Sequence, residues 1–205
     1  MIKFQPLMFA VVLLMAHSGF AQPATGENSH VALSKTVQDL FEKKRSLIEK
    51  EVAGNPLIIE EVKKYNEKNK DISLEEIKKM DQRWIASQGV TDFMKEFLTG
   101  PNAEFLIAFQ ESQEGIVEMF ITDAKGLNVV MTNKTSDYYQ ADEDWWVKCY
   151  ADGRGLSYSG DIEYDESAMS ESIPVFVPIK DPERGQVIGV IKTIIDIASI
   201  QRELQ

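Results

Sequence analysis

The hydrophobic pattern of the sequence changes once, near Gly115, and this change limits the fold more than any other feature. Before it, apolar residues recur at helical spacing in several segments, of which residues 33–53 form the longest. After it, short β-rich runs follow one another and are separated by turn residues. Helices segregated from consecutive strands are typical of α+β domains with an antiparallel sheet. We therefore predict an α+β fold in which long N-terminal helices cover one face of a sheet and loops cover the other.

Capping and turn residues predict the bounds of the helices. The motif Ser73-Leu74-Glu75-Glu76 is a capping box, in which Ser73 is the N-cap and Glu76 is the third helical residue. Gly54-Asn55-Pro56 ends the first helix, and Thr99-Gly100-Pro101-Asn102 separates the last two. The predicted helices before the change are 33–53, 57–69, 74–89, 92–98 and 103–110.

The segment after Gly115 predicts five strands. The first two lie in GIVEMFITDAKGLNVVMTN and are joined by the turn Asp123-Ala124-Lys125-Gly126. Three further runs occupy 156–162, 173–179 and 187–195, and the turn 180–185 joins the last two. A short helix is expected in the charged and aromatic stretch DYYQADEDWWVKCYADG, and another in the tail at 196–205.

The first residues have the layout of a secretory signal peptide. Lys3 supplies positive charge, an apolar run follows it, and Gly19 and Ala21 occupy the small-residue positions before a cleavage site after Ala21. We predict a signal peptide at 1–21, a flexible segment at 22–32 and one domain at 33–205. This domain divides into a helical part (33–113), a sheet part (114–197) and a terminal helix (198–205). The expected location is the periplasm or the extracellular space.

The charge and the residue inventory exclude several classes of function. The formal net charge of -11 at pH 7 is unsuited to nucleic acids and to anionic membranes. Cys149 is the single cysteine, which rules out an internal disulfide and is expected to be a buried thiol. The two histidines, His17 and His30, lie in or just after the predicted signal peptide, so His-dependent hydrolase and zinc sites are excluded. We predict a protein that is not an enzyme and that has no cofactor, catalytic residue or metal site.

The segment from Asp137 to Glu171 has the most distinctive composition. Its ten acidic residues are opposed only by Lys148 and Arg154. Beside them lie four aromatic residues, Tyr138, Tyr139, Trp145 and Trp146. Aromatic faces with carboxylates attract organic cations, and clustered carboxylates can ligate calcium or magnesium. The alternative is that at least one tryptophan belongs to the core and that the acids form a solvated rim, since no calcium-loop spacing is present.

Three segments, taken in order, resemble the Cache domain, the PAS-like extracytoplasmic sensor module of bacterial chemoreceptors and sensor kinases. FITDAKGLNVVMTN is similar to the first hairpin of that family, and DYYQADEDWW resembles the segment that leads into its pocket helix. GDIEYDESAMSESIPVFVPIKDPERGQVIGVIKTIIDI resembles the closing strands, so that the likeness covers about residues 114–197. The resemblance implies long N-terminal helices packed on a five-stranded antiparallel PAS-like sheet.

The resemblance also implies a ligand site over the sheet, under the loops between the second and third strands. Trp145 and Trp146 match the aromatic pair of relatives that bind amino acids, and Asp165, next to Tyr164, matches a later aspartate. The arginine of those relatives is replaced by Glu143 and Asp144, which disfavours an amino-acid carboxylate. The predicted ligand-binding residues are Tyr138, Tyr139, Trp145, Trp146, Tyr164 and Asp165.

Two functions remain open from the sequence. The first is a soluble periplasmic sensor that binds a small molecule and signals through a separate membrane receptor or sensor kinase, because the sequence shows no output module after its last strand. The second is a structural or protein-interaction module whose pocket is filled by its own side chains. In either case the N-terminal helix, 33–52, is a candidate surface for a homodimer.

Overall fold

The computed structural model describes residues 35–165 and 170–203. The predicted signal peptide and flexible segment lie outside these residues, as do Leu33 and Ser34 at the predicted start of the first helix. The division of the chain into these segments and a single domain stays a prediction. In the described ranges, no helix is both long and apolar enough to cross a membrane.

Seven α-helices and six β-strands follow one another in the described residues. The helices are α1 (Lys35–Ile48), α2 (Pro56–Lys68), α3 (Leu74–Ala86), α4 (Asp92–Leu98), α5 (Pro101–Ser112), α6 (Asp144–Tyr150) and α7 (Ile197–Glu203). The strands are β1 (Ile116–Asp123), β2 (Asn128–Met131), β3 (Tyr158–Ser159), β4 (Glu163–Asp165), β5 (Ser170–Lys180) and β6 (Val187–Asp196). The predicted α+β class is confirmed.

All six strands belong to one antiparallel sheet with the order β2-β1-β6-β5-β3, and β4 also pairs with β5. The predicted count of five strands was therefore one short: the run at 156–162 contains only β3, and β4 follows directly after it. Pro174 and Pro178 in β5 have no N–H to donate to an edge strand, which interrupts the pairing. β3 stops at Ser159, opposite Val175, and pairing resumes only at Glu163, opposite Ser172.

The two faces of the sheet have different coverings. On one face, α1, α2 and α5 pack against the strands, and a main core forms there around Met119, Ile121 and Ile191. On the opposite face lies α6, which packs on β5 and β6. Its contacts form a second, smaller core of Trp146, Cys149, Phe176 and Val190. The prediction that the helices before the sheet cover one face and that the loops lie on the other agrees with this arrangement.

Local chemistry explains the ends of several elements. The capping box at Ser73 is present, since its hydroxyl accepts from the Glu76 amide and the Glu76 carboxylate accepts from the Ser73 amide. α1 continues into a π-helical turn, Glu49–Ala53, which ends at Gly54. In the β1–β2 turn, Asp123 Oδ1 accepts from the amides of Lys125 and Leu127. Gly126 in that turn has φ +76°, and a Cβ there would lie 2.5 Å from Ala141.

The buried Lys44 joins the two ends of the described chain. Its ammonium donates to the Glu114 carbonyl at 2.7 Å and pairs with the Glu203 carboxylate at 3.0 Å. These contacts hold α1, the entry to β1 and α7 together.

Candidate functional site

A cleft of about 440 Å³ opens on the sheet face that carries α6. Side chains on one face of a strand alternate, and this alternation places Glu118 and Phe120 of β1 beside Lys192 and Ile194 of β6. The lining residues are Glu118, Phe120, Lys134, Thr135, Ser136, Gln140, Glu163, Tyr164, Ser172, Lys192 and Ile194. The strands thus form the floor, and the segment 134–140, which we call the roof segment, forms the opposite wall.

Lys192 is the cation on the floor of this cleft. It lies in one cross-strand row between Phe120 and Phe176, and its ammonium is 5.9 and 6.0 Å from the centroids of their rings. The ring of Trp145, stacked on Phe176 with 5.1 Å between centroids, is closer, at 4.8 Å from the ammonium. No carboxylate whose side chain the structure describes forms an ion pair with Lys192. Aromatic faces stabilise this cation without neutralising its charge.

Four contacts attach the roof segment to α3 and to the residue that follows it. Trp84 Nε1 donates to the Thr135 carbonyl at 2.9 Å. Asp81 Oδ1 accepts from the amides of Tyr138 and Tyr139 at 2.8 and 3.1 Å. The Lys134 ammonium donates to the Ser87 carbonyl at 2.9 Å. These contacts from α3 add to the bonds that the roof segment makes with Asn128 and Gly126 of the β1–β2 hairpin.

Acidic side chains give the surroundings of the cleft a negative potential. Partial burial raises the pKa of Asp137, and the nearby carboxylates of Asp81 and Asp142 raise it further. Partial burial, followed by repulsion from Asp137 and Asp142, also raises the pKa of Glu143, while Lys192 opposes that shift. Lys192 therefore attracts the Glu143 carboxylate through space.

The structure separates the predicted ligand-binding residues. Tyr164 lines the cleft, and Trp145 borders it through Lys192. Tyr138 is only 2% exposed and packs against Trp84, Phe93 and Phe97 in the helical core. Asp165 pairs through its backbone with Ser170, and its side chain lies outside the described part of the structure.

Tyr139 and Trp146 line a different groove, which lies between α6, the start of α3 and the β1–β2 turn. Trp146 is 6% exposed, stacks on Tyr150 at 4.6 Å, and donates from Nε1 to the Thr122 hydroxyl at 2.8 Å. This side chain has the geometry of a core residue. A ligand-binding role for the six predicted residues stays a prediction, and only Tyr164 and Trp145 lie at the cleft described here.

The sequence analysis did not identify Lys192, Phe120 or Gln140. The available signal was Lys192 itself, because it is the one basic residue in the apolar run Val187–Asp196. A charged residue inside a strand that is otherwise buried needs a partner or a ligand. Its position in the same row as Phe120 depends on strand pairing, which the sequence does not show.

The remaining candidates carry less chemistry. Burial raises the pKa of Cys149 to about 12, so its thiol behaves as a small apolar group. Within the described residues, no group of three or more His, Cys, Asp and Glu side chains is placed to hold a metal ion.

No family model and no curated protein matches this chain. Solved structures that are similar to it include the ligand-binding domain of the Campylobacter jejuni chemoreceptor Tlp3 in complex with L-valine, at 13% identity and a TM-score of 0.38. That match covers 82% of this chain and 65% of the Tlp3 chain. The sensor domain of the V. cholerae histidine kinase DctB has 13% identity and a TM-score of 0.39, covering 82% of this chain and 60% of that one.

The E. coli DcuS sensor domain has 13% identity and a TM-score of 0.33, covering 63% of this chain and 92% of that one. The match to the Tlp3 domain spans about 65% of the length of that domain. All three are sensory or ligand-binding domains.

Proposed function

We propose that this chain is a Cache-type sensory domain that binds a small anionic molecule in the cleft between the sheet and the roof segment. The observation that carries the proposal is Lys192, a cation held on the cleft floor by three aromatic rings without a carboxylate partner among the described side chains. A ligand carboxylate, or a similar anionic group, would complete the charge pair that the fold leaves open.

The other polar groups of the cleft favour a second feature in the ligand. Glu118 and Glu163 lie on the same lining as Lys192. Glu163 is the carboxylate that a ligand would meet, and carboxylates accept hydrogen bonds and attract positive charge. A ligand with a hydroxyl, amide or amine beside its anionic group therefore fits this lining best. Tyr164 is 62% exposed, and its ring can cover an apolar part of such a molecule.

The sensory part of the proposal follows from the way that the cleft is built. A ligand that touches both the sheet and the roof segment favours the conformation in which the two are close, and it can shift populations only by this differential affinity. We infer that the resulting change is transmitted to a separate membrane receptor or sensor kinase, after export to the periplasm or the cell exterior. A homodimer through the N-terminal helix belongs to the same proposal.

A second candidate is a structural or protein-interaction module without a ligand. It is favoured by the packing under α6, where Trp146, Cys149, Phe176 and Val190 fill the sheet face with the protein's own side chains. This filling covers the part of the face next to α6 and leaves the cleft beside Lys192 open. The two candidates therefore differ in whether any small molecule stabilises the fold.

A thermal-shift screen separates them. The panel contains small organic acids, amines, amino acids, nucleobases and divalent cations at pH 7. A ligand at a hundred times its dissociation constant adds about 2.7 kcal/mol to the free energy of unfolding, which raises the Tm by roughly 5–10 °C for a chain of this size. We expect the hits to be organic acids.

Two variants place a hit in the cleft. Lys192→Gln removes the floor cation and should weaken an organic acid about tenfold or more, since a hydrogen bond to a charged group contributes about 1.5–3 kcal/mol. Lys180→Gln removes an exposed charge at the end of β5 and should leave the affinity unchanged, as measured by titration calorimetry. A panel without any hit, or equal affinity in both variants, would refute binding at Lys192 and favour the interaction module.

A further inference from the structure

A second opening lies on the helical side of the protein, between α3 and α4. It has a volume of about 460 Å³ and is lined by Met80, Arg83, Trp84, Thr91, Phe93 and Met94. We call it the α3–α4 groove. Its volume falls within the range of sites that hold small molecules, and such sites combine mostly apolar walls with a few placed polar groups.

The walls of the α3–α4 groove are apolar and rigid. Trp84 and Met94 are each 1% exposed, and Phe93 meets Trp84 edge to face with 6.1 Å between ring centroids. Met80 adds a flexible thioether at the rim. The Met80 thioether can adjust to the shape of an apolar guest, and the aromatic rings offer fixed surfaces on which aliphatic or aromatic bodies can pack.

Arg83 is the charged group of the groove. Its guanidinium forms no ion pair or hydrogen bond with the residues that the structure describes, in contrast to Lys79 one turn earlier, which pairs with Glu75 at 2.6 Å. Thr91 adds a hydroxyl on the α4 side, although that hydroxyl also caps the Met94 amide. An apolar floor with one unpaired guanidinium at the rim matches a molecule with an apolar body and a single anionic head.

We propose that the α3–α4 groove is a second binding site, which takes an amphipathic anion of the fatty-acid or aromatic-carboxylate type. Its apolar body packs on the partly exposed Phe93 and Met80, next to the buried Trp84, and its head pairs with Arg83. This site does not depend on Lys192 and shares no lining residue with the cleft.

Decanoate is a suitable probe, with decanol as its uncharged analogue. The protein has three tryptophans, so its indole N–H signals in a ¹H–¹⁵N spectrum are few, and Trp84→Phe assigns that of Trp84. Decanoate should shift the Trp84 indole signal in a saturable way and by more than those of Trp145 and Trp146. An unchanged Trp84 signal, or larger shifts of the other two signals, would overturn the site.

Variants test the head and the body of the ligand separately. Arg83→Gln should weaken decanoate about two- to fivefold, the range for an exposed ion pair, and leave decanol unchanged. Lys78→Gln is the control: it removes an exposed charge from the same helix but outside the groove, and it should change the affinity for neither probe. Met80→Glu puts a carboxylate beside the apolar body and should weaken both probes at least tenfold while the circular dichroism spectrum stays native. Equal effects of Arg83→Gln and Lys78→Gln would refute the assigned head position.

Discussion

Asp137 is the residue at which the electrostatics of the site can be measured most directly. Burial is the largest cause of its shifted pKa and raises it. The hydrogen bond from Gln140 lowers the pKa in part, and repulsion from the Asp81 carboxylate raises it again. The folded protein therefore holds this proton more tightly than the unfolded chain does. The contribution of Asp137 to stability is fully present below its unfolded pKa and is lost as the pH rises through the folded value.

The predicted consequence concerns Asp137→Asn. The amide oxygen can still accept from Gln140 and Ser136, as Oδ1 does now, while the charge near Asp81 is removed. We expect the variant to be more stable than the wild type at pH 7, and the difference to shrink as the pH falls towards about 4. Urea unfolding at several pH values measures it. Asp161→Asn, on an exposed residue, is the control, and a constant difference across this pH range would contradict the prediction.

At the residue scale, the sequence predicted chemistry more reliably than position. The Asp123 turn and the Ser73 capping box depend on contacts within four residues, and both are present. Whether Tyr138 or Tyr164 faces the cleft depends on how a loop crosses the sheet. Composition pointed to Tyr138 and the family resemblance to Tyr164, although the first is buried in the helical core and the second is exposed.

Among the elements, α3 connects the most parts of the molecule. It carries Asp81, which accepts from the amides of Tyr138 and Tyr139, and Trp84, which donates to Thr135. The roof segment has no helix, and the β1–β2 hairpin holds one side of it through the bridge between Leu127 and Tyr139 and the bonds from Asn128. The contacts from α3 hold its other side. A change in α3 should therefore reach the cleft without touching its lining.

Asp81→Ala tests this role. Removing the acceptor leaves two amides without their partner, at a cost of about 1–3 kcal/mol in the free energy of unfolding. Hydrogen exchange at residues 134–140 should become faster, whereas exchange in β5 and β6 should stay slow. Asp81→Asn retains the accepting oxygen and should restore most of the protection. Unchanged exchange in the roof segment of the alanine variant would show that α3 does not hold it.

Hydrophobic periodicity predicted every helix between α1 and α5 because each has a buried stripe and its own capping signals. The strands were less predictable. Only Tyr158–Ser159 of the run at 156–162 is a strand, and β4 follows after the run, because their partner β5 has Pro174 and Pro178 on the pairing side. Pairing partners cannot be inferred from local composition. The pairing of β6 with both β1 and β5, which brings Lys192 between two rings, is equally nonlocal.

For the whole molecule, the sequence predicted the α+β class and the separate coverings of the two faces. It did not predict that two openings would be connected through one side chain. Trp84 is a wall of the α3–α4 groove and also donates to the Thr135 carbonyl, whose residue lines the cleft. Tyr138 in the roof segment packs on Trp84 and Phe93 at 5.4 and 5.3 Å.

This connection predicts that the two proposed sites are coupled. Decanoate in the α3–α4 groove should change the affinity of an organic acid for the cleft, and the acid should change the affinity for decanoate by the same factor. Trp84→Phe keeps a ring in the groove but removes the N–H that reaches Thr135, so it should bring the factor close to one. Tyr65→Phe, in the core outside the groove, should leave the factor unchanged.

Titration calorimetry with each ligand, in the presence and absence of the other, measures both directions of this coupling. Affinities that are independent in the wild type would show that the Trp84–Thr135 hydrogen bond holds the roof segment without transmitting occupancy. A factor that survives Trp84→Phe would assign the coupling to ring packing with Tyr138 instead. In either case the reciprocal measurement separates coupling from competition, because two ligands that share one site exclude each other at saturation, whereas coupled sites can be occupied together.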